Sequence, residues 1–200
     1  MKLIEAREKL SRLNIPAITL QDVVGVFQLE KTQASRLMNK LTQVEGLVKV
    51  KRGLWAWPNS DPLVLASYLT SPFPSYISLQ TALFYHGIIE QIPGFCSVIS
   101  LGRRKIERTP LGVFSIHNIN AEFFTGYETH YNPYYQIASP EKAFMDYLYL
   151  SRNEPKLFGK LPEVDKSLLN VKKCKKFIRL VNHTGSKTYL SEKLEGFFGK

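Results

Sequence analysis

Cysteine is scarce in this chain of 200 residues, occurring only as Cys96 and Cys174. The two stand alone, without CxxC spacing and without a histidine pair at metal-ligand distance, so neither a disulfide framework nor a zinc site is indicated. Both read as ordinary reduced thiols. Long apolar runs are lacking too: no stretch approaches the about eighteen residues that a membrane helix needs, and in MKLIEAREKL the acids Glu5 and Glu8 interrupt what a signal peptide would keep apolar. A soluble, cytoplasmic chain with no membrane contact is expected. Chemistry-bearing signatures are missing as well. There is no GxSxG, neither cysteine has a nucleophile's setting, and no D…ExK-like pair occurs. Repeats and low-complexity tracts do not stand out. No catalytic residue, metal or cofactor is therefore nominated, and a non-enzymatic protein is expected.

What the chain does have is apolar material, 44% of it, enough for a packed core in one or two domains. It also has a net charge of +10, unevenly spread. Residues 1 to 57 carry net +5, residues 58 to 149 net −2, and residues 150 to 200 net +7. Two basic ends around a slightly acidic middle point to polyanion contact at the ends.

The stretch from Lys31 to Trp57, KTQASRLMNKLTQVEGLVKVKRGLWAW, organises the rest. Ala34, Leu37, Met38, Leu41 and Val44 fall at i, i+3, i+4, i+7 and i+10, one apolar stripe on a helix. Lys31, Thr32, Gln33, Ser35, Arg36, Asn39, Lys40 and Gln43 lie off it, and such side chains hydrogen-bond base edges or phosphates. Gly46 stands where a helix takes a left-handed residue after its cap. LVKVK then alternates, with Val48 and Val50 on one face and Lys49 and Lys51 on the other. Arg52-Gly53 makes a turn, and LWAW returns with Trp55 and Trp57 on one side until Pro58 ends the ladder. Upstream, Leu3, Ala6, Leu10 and Leu13 give a first helix that stops before Pro16. Leu20, Val23, Val24 and Phe27 give a second, with Thr19 as N-cap, Asp22 as its capping-box partner and a tight turn at Gln28 to Glu30. Helix, helix, turn, helix, basic hairpin is the winged helix-turn-helix plan, whose third helix enters the major groove while the wing reaches phosphates.

A boundary near residue 60 follows, because Asp61 and Pro62 look like an N-cap and a first helical residue. A helix over Leu63 to Leu69 and another capped by Ser78 come next, with His86 read as a helix-terminal residue near the last carbonyls. CSVIS, KIERT and VFSIHNI read as a small antiparallel sheet, with His117 on its surface. Phe123, Phe124, Tyr127, Tyr131, Tyr134 and Tyr135 read as packing or as a protein-binding surface, since a base-stacking channel needs cations and only Glu122 and Glu128 flank them. One more strand over Tyr135 to Ala138 leads into a helix begun by Ser139-Pro140-Glu141, with Ala143, Phe144, Tyr147 and Leu148 as its buried stripe. A linker-like passage follows through Pro155, Gly159 and Pro162. Leu168 to Val181 is a basic amphipathic helix. It carries Lys172, Lys173, Lys175 and Lys176 opposite Val171, Cys174, Phe177, Ile178 and Val181, and Tyr189 to Phe198 forms a last one. The expected fold is α+β: a winged helix-turn-helix domain at 1–60, then an α+β domain at 61–200 with a basic C-terminal helix.

The head, followed by SYISLQTALFYHGIIEQIP and by YYQIASPEKAFMDYLYL, resembles the AbiEi family, the antitoxins of abortive-infection type IV toxin–antitoxin systems. The resemblance covers residues 1 to about 150 and is most specific in those two segments. It implies a DNA-binding head that represses the antitoxin's own operon, and a C-terminal domain that counteracts a nucleotidyltransferase-like toxin without binding it tightly. It supplies no catalytic residues. The expected partner is double-stranded operator DNA, with inverted repeats as one arrangement. Two alternatives stand beside it. One is a metal-dependent nuclease targeted by the head, for which Glu107, Glu122, Glu128, Glu141 and Asp146 are scattered over separate elements rather than gathered. The other is a protein-interaction module.

Overall fold

The computed structural model describes residues 2–131, 134–153 and 163–199, and over them the chain is a mixed α/β protein with eight α-helices and two β-sheets. The passage through Pro155, Gly159 and Pro162 lies outside the described residues. No helix among those described is long and apolar enough to cross a membrane.

The N-terminal part runs α1 (Leu3–Ser11), β1 (Ala17–Thr19), α2 (Leu20–Phe27), α3 (Lys31–Val44), β2 (Val48–Lys51) and β3 (Leu54–Ala56). Thr19 caps α2 as its position predicts: its hydroxyl accepts the Asp22 N–H at 3.2 Å, and the Asp22 carboxylate accepts the Thr19 N–H at 2.7 Å. Gln28, at φ 50°, turns the chain left-handed out of α2, and Gly46, at φ 71°, does the same after α3. Along α3, Ala34, Met38 and Leu41 are buried and Leu37 is half-buried, but Val44 is 66% exposed. The reason is the pitch, since ten residues at 3.6 per turn leave Val44 about 80° away from Ala34.

β1, β3 and β2 pair antiparallel in that order, so β3 is central. The β1 strand is not visible as a sequence pattern, because three residues show no alternation. Both faces of this sheet are covered. Ile18 and Trp55, with Leu47, join Ala6, Leu10, Val23 and the α3 stripe in one core. Ala17, Val50, Leu54 and Ala56 point the other way, into the core of the remaining chain.

That larger part holds α4 (Leu65–Thr70), β4 (Ser75–Ile77), α5 (Leu79–Tyr85), β5 (Cys96–Ser100), β6 (Lys105–Thr109), β7 (Gly112–Asn118), β8 (Tyr127–Tyr131), β9 (Tyr134–Ala138), α6 (Pro140–Asn153), α7 (Val171–Arg179) and α8 (Thr184–Phe198). Its sheet has six strands in the order β6-β7-β5-β4-β9-β8. The expected small antiparallel sheet is thereby corrected. β6 and β7 do form an antiparallel hairpin, but β5 runs parallel to β7 and β4 runs parallel to β9. The two unforeseen strands explain the difference. β4 is only three residues long between Pro74 and Ser78, and β8 lies in a tyrosine-rich stretch that reads as packing.

Interior strands relocate two histidines. His117 sits on β7, one strand in from the edge, and is 3% exposed rather than on the sheet surface. Burial, with the Arg104 charge adding to it, lowers its pKa to about 4. His86 does end α5, but its ring donates to the Ala138 carbonyl of β9 at 2.8 Å and not to the helix's own last turn. α6 buries Ala143, Phe144, Tyr147 and Leu148 as predicted. α7 begins at Val171 rather than Leu168, because the Asn170 side chain accepts the N–H groups of Lys172 and Lys173 and starts the helix there.

Candidate nucleic-acid interface

α3 rests on α1 and α2, and its outer face is left to solvent. Thr32, Arg36, Asn39, Lys40 and Gln43 are exposed along that face, with Lys31 at the first turn. The helix contains no acidic residue, so its surface is a mixture of amides, hydroxyls and cations. Ser35 is half-buried on the flank, at the edge of the face rather than on it. Gln33 is exposed, but its Oε1 accepts the Glu30 N–H at 3.2 Å, which turns this side chain back onto the helix start as one arm of a capping box.

The hairpin departs from the expected pattern. The β2–β3 register pairs Lys49 with Trp55 and Lys51 with Leu54, a shift of one residue between the two lysines. Such a bulge puts successive odd positions on opposite faces. Lys49 follows Trp55 and is exposed. Lys51 follows Leu54, whose side chain enters the larger core, and is half-buried. Burial lowers the Lys51 pKa, and the Lys105 ammonium of β6 lowers it further against an opposing Glu107. The two lysines therefore do not share an outward face, as LVKVK predicts. Arg52 is exposed on the turn, and the turn itself is held against α2 by the Leu20 N–H donating to the Gly53 carbonyl at 2.9 Å.

The second cationic surface is on α7, which packs against α6 and α8. Cys174 and Ile178 are buried, Val171 and Phe177 half-buried, and Lys172, Lys173, Lys175, Lys176 and Arg179 all exposed, so the predicted amphipathic division holds. Lys173 Nζ lies 3.7 Å from Glu141 Oε1, a pair in which only the carboxylate is buried. The candidate residues thus fall into two groups on separate elements, one on α3 and the adjoining hairpin and one on α7.

A buried polar cluster escaped the sequence reading. Lys142 and Asp146, one turn apart on α6, are ion-paired with both side chains fully buried. Tyr76 of β4 donates its hydroxyl to Asp146 Oδ2 at 3.0 Å, and Ser78 donates to the same oxygen at 2.7 Å. The Lys142 ammonium lies 3.7 Å from the Phe123 ring centroid. Burial pushes the ammonium's pKa down and the carboxylate's up, while their mutual attraction opposes both shifts. The cluster ties α6 to β4 and to the turn at Phe123. Its signal was the i, i+4 spacing of Lys142 and Asp146, which on an exposed helix would be an ordinary surface pair. Among the described residues, no three His, Cys, Asp or Glu side chains gather as a metal site would require.

The chain matches no known protein-family model and no curated protein. Its likeness to the AbiEi family therefore rests on the quoted segments.

Proposed function

We propose that this protein is a sequence-specific DNA-binding transcriptional repressor. In this reading residues 1–60 are a winged helix-turn-helix head, α3 is its recognition helix, and β2 and β3 are a short wing. The observation that carries it is the outer face of α3, a fourteen-residue helix with Thr32, Arg36, Asn39, Lys40 and Gln43 exposed and no carboxylate among them. Arginine and asparagine are the side chains that pair bidentately with guanine and adenine in the major groove. Lys31, Lys49 and Arg52 are the phosphate contacts at its margins, and Lys172, Lys173, Lys175 and Lys176 are a separate, sequence-independent contact.

The resemblance extends the proposal to a role. The repressor is the cytoplasmic antitoxin of an abortive-infection type IV toxin–antitoxin system, autoregulating its operon and functionally linked to a nucleotidyltransferase-like toxin. Selection of binding sites from random duplex DNA by the whole chain tests the first part. A recovered consensus of about one helical turn supports it, and recovery of unrelated sequences with the same affinity as a pool of random DNA sinks it.

A further inference from the structure

Among the described residues the six-stranded sheet has two outer strands, β6 and β8, and they differ in their charge patterns. β6, KIERT, is flanked by Arg103 and Arg104, and pairing it with itself about its central residue would set Glu107 against Glu107. Like charges directly opposite are destabilising, and a charged outer strand is the usual defence against edge-to-edge association. β8, YETHY, paired with itself about its central residue, sets no like charges directly opposite one another.

Its backbone geometry is suited to a partner. The Ser139 N–H donates to the Gly126 carbonyl at 3.0 Å, which makes these residues a hydrogen-bonded pair just before β8 begins. In an antiparallel ladder such pairs alternate, so Glu128 with Ile137 and His130 with Tyr135 are bonded inward. The N–H and C=O groups of Tyr127, Thr129 and Tyr131 then point away from β9.

The side chains are complementary to themselves. Pairing β8 antiparallel with a second β8 about Thr129 sets Tyr127 opposite the partner's Tyr131, Glu128 opposite the partner's His130, and Thr129 opposite the partner's Thr129. Aromatic, acid–imidazole and Thr–Thr pairs are each favourable cross-strand neighbours. The exposures fit as well. Tyr131 is 81% exposed, whereas Tyr127 is half-buried and stacked on Tyr76 at 4.7 Å between centroids, so the pairing gives a solvent-exposed ring an aromatic seat.

We infer that β8 is a homodimerisation edge: two copies of this chain pair their β8 strands about Thr129 and merge two six-stranded sheets into one. The inference is independent of the DNA reading, and its test contains no DNA. Sedimentation velocity of the full chain at micromolar concentrations gives a dimer. Thr129→Pro removes an outward N–H while leaving the β8–β9 bonds intact, and it gives a monomer with an unchanged far-ultraviolet circular dichroism spectrum. Glu128→Lys removes two acid–imidazole contacts per dimer and raises the dissociation constant about tenfold. Adding His130→Glu to it restores the dimer in the opposite polarity. If Thr129→Pro fails to fold, the Glu128→Lys variant and its rescue decide alone. A monomeric wild type, a species larger than a dimer, a dimer that survives Glu128→Lys, or a double variant without rescue would each overturn the assignment.

Discussion

Arg36 stands near the middle of the exposed face of α3, with Thr32 and Asn39 beside it. If α3 reads bases as proposed, Arg36 carries discrimination, and Arg36→Ala is expected to cost about 1–3 kcal/mol at the preferred site and to relax sequence choice there. Lys51 is a contrasting case. Its half-buried position beside Lys105 and Glu107 means that Lys51→Ala should change DNA affinity less than Arg52→Ala does, and fluorescence-anisotropy titrations of the three variants separate these outcomes. An Arg36→Ala protein that binds like the wild type would remove α3 from the interface. The buried pair on α6 supplies a prediction about stability. Asp146→Ala strands the Lys142 charge in the core and should lower unfolding free energy by about 3–5 kcal/mol, while Lys142→Met combined with Asp146→Leu should recover most of it. Equal losses in urea unfolding of the single and double variants would contradict that account. Residue identities made the outer face of α3 legible, because polar and apolar positions separate along that helix except at Val44, which lies on the predicted stripe and is exposed. They could not make Lys142 legible. A lysine's burial is decided by what packs over it, here Phe123, and not by its own chemistry.

Helices were easier to foresee than strands. Thr19 with Asp22 at the start of α2 and Gly46 after α3 are local causes and can be read locally. Asn170 at the start of α7 and His183 at the start of α8 escaped the sequence reading, and both helices start elsewhere than predicted. β1 and β4 have three residues each, and they are strands only because β3, β5 and β9 offer them partners distant in sequence. The bulge between Lys49 and Lys51 is of the same kind, since it depends on where Leu54 must point. α7 keeps the amphipathic division read from its sequence, although it starts at Val171 rather than Leu168, and it carries its own prediction. If its lysines touch phosphates, each contact contributes about −0.9 to the slope of log K against log salt. Changing Lys172, Lys173, Lys175 and Lys176 to glutamine should then flatten the slope for operator binding without altering which sequence is preferred. Identical slopes would rule out the α7 contact.

At the scale of the whole molecule, the small antiparallel sheet is where the two cores meet. It sends Ile18 and Trp55 to one core and Ala17, Val50, Leu54 and Ala56 to the other. Ser60 adds a tether by donating to the Pro16 carbonyl at 2.9 Å. Residues 1–60 on their own would present the second set of side chains to water, so that fragment should melt at a lower temperature than the full chain does, as followed by circular dichroism. Matching melting temperatures would mean that the second face contributes nothing. The amphipathic patterns of the chain predicted the β2–β3 hairpin, but neither the third strand β1 nor that the far side is covered, because alanine, valine and leucine look the same facing a core or a neighbouring unit. The arrangement also has a consequence in time. A ribosome adds about 5–20 residues per second, so the last of the body's residues are joined several seconds or more after Ala56. Throughout that interval the nascent head carries an uncovered oily patch on its newly made strands. Cells producing this protein are therefore expected to depend on ribosome-associated chaperones, and slowing translation between Pro58 and Leu83 should lower the soluble yield.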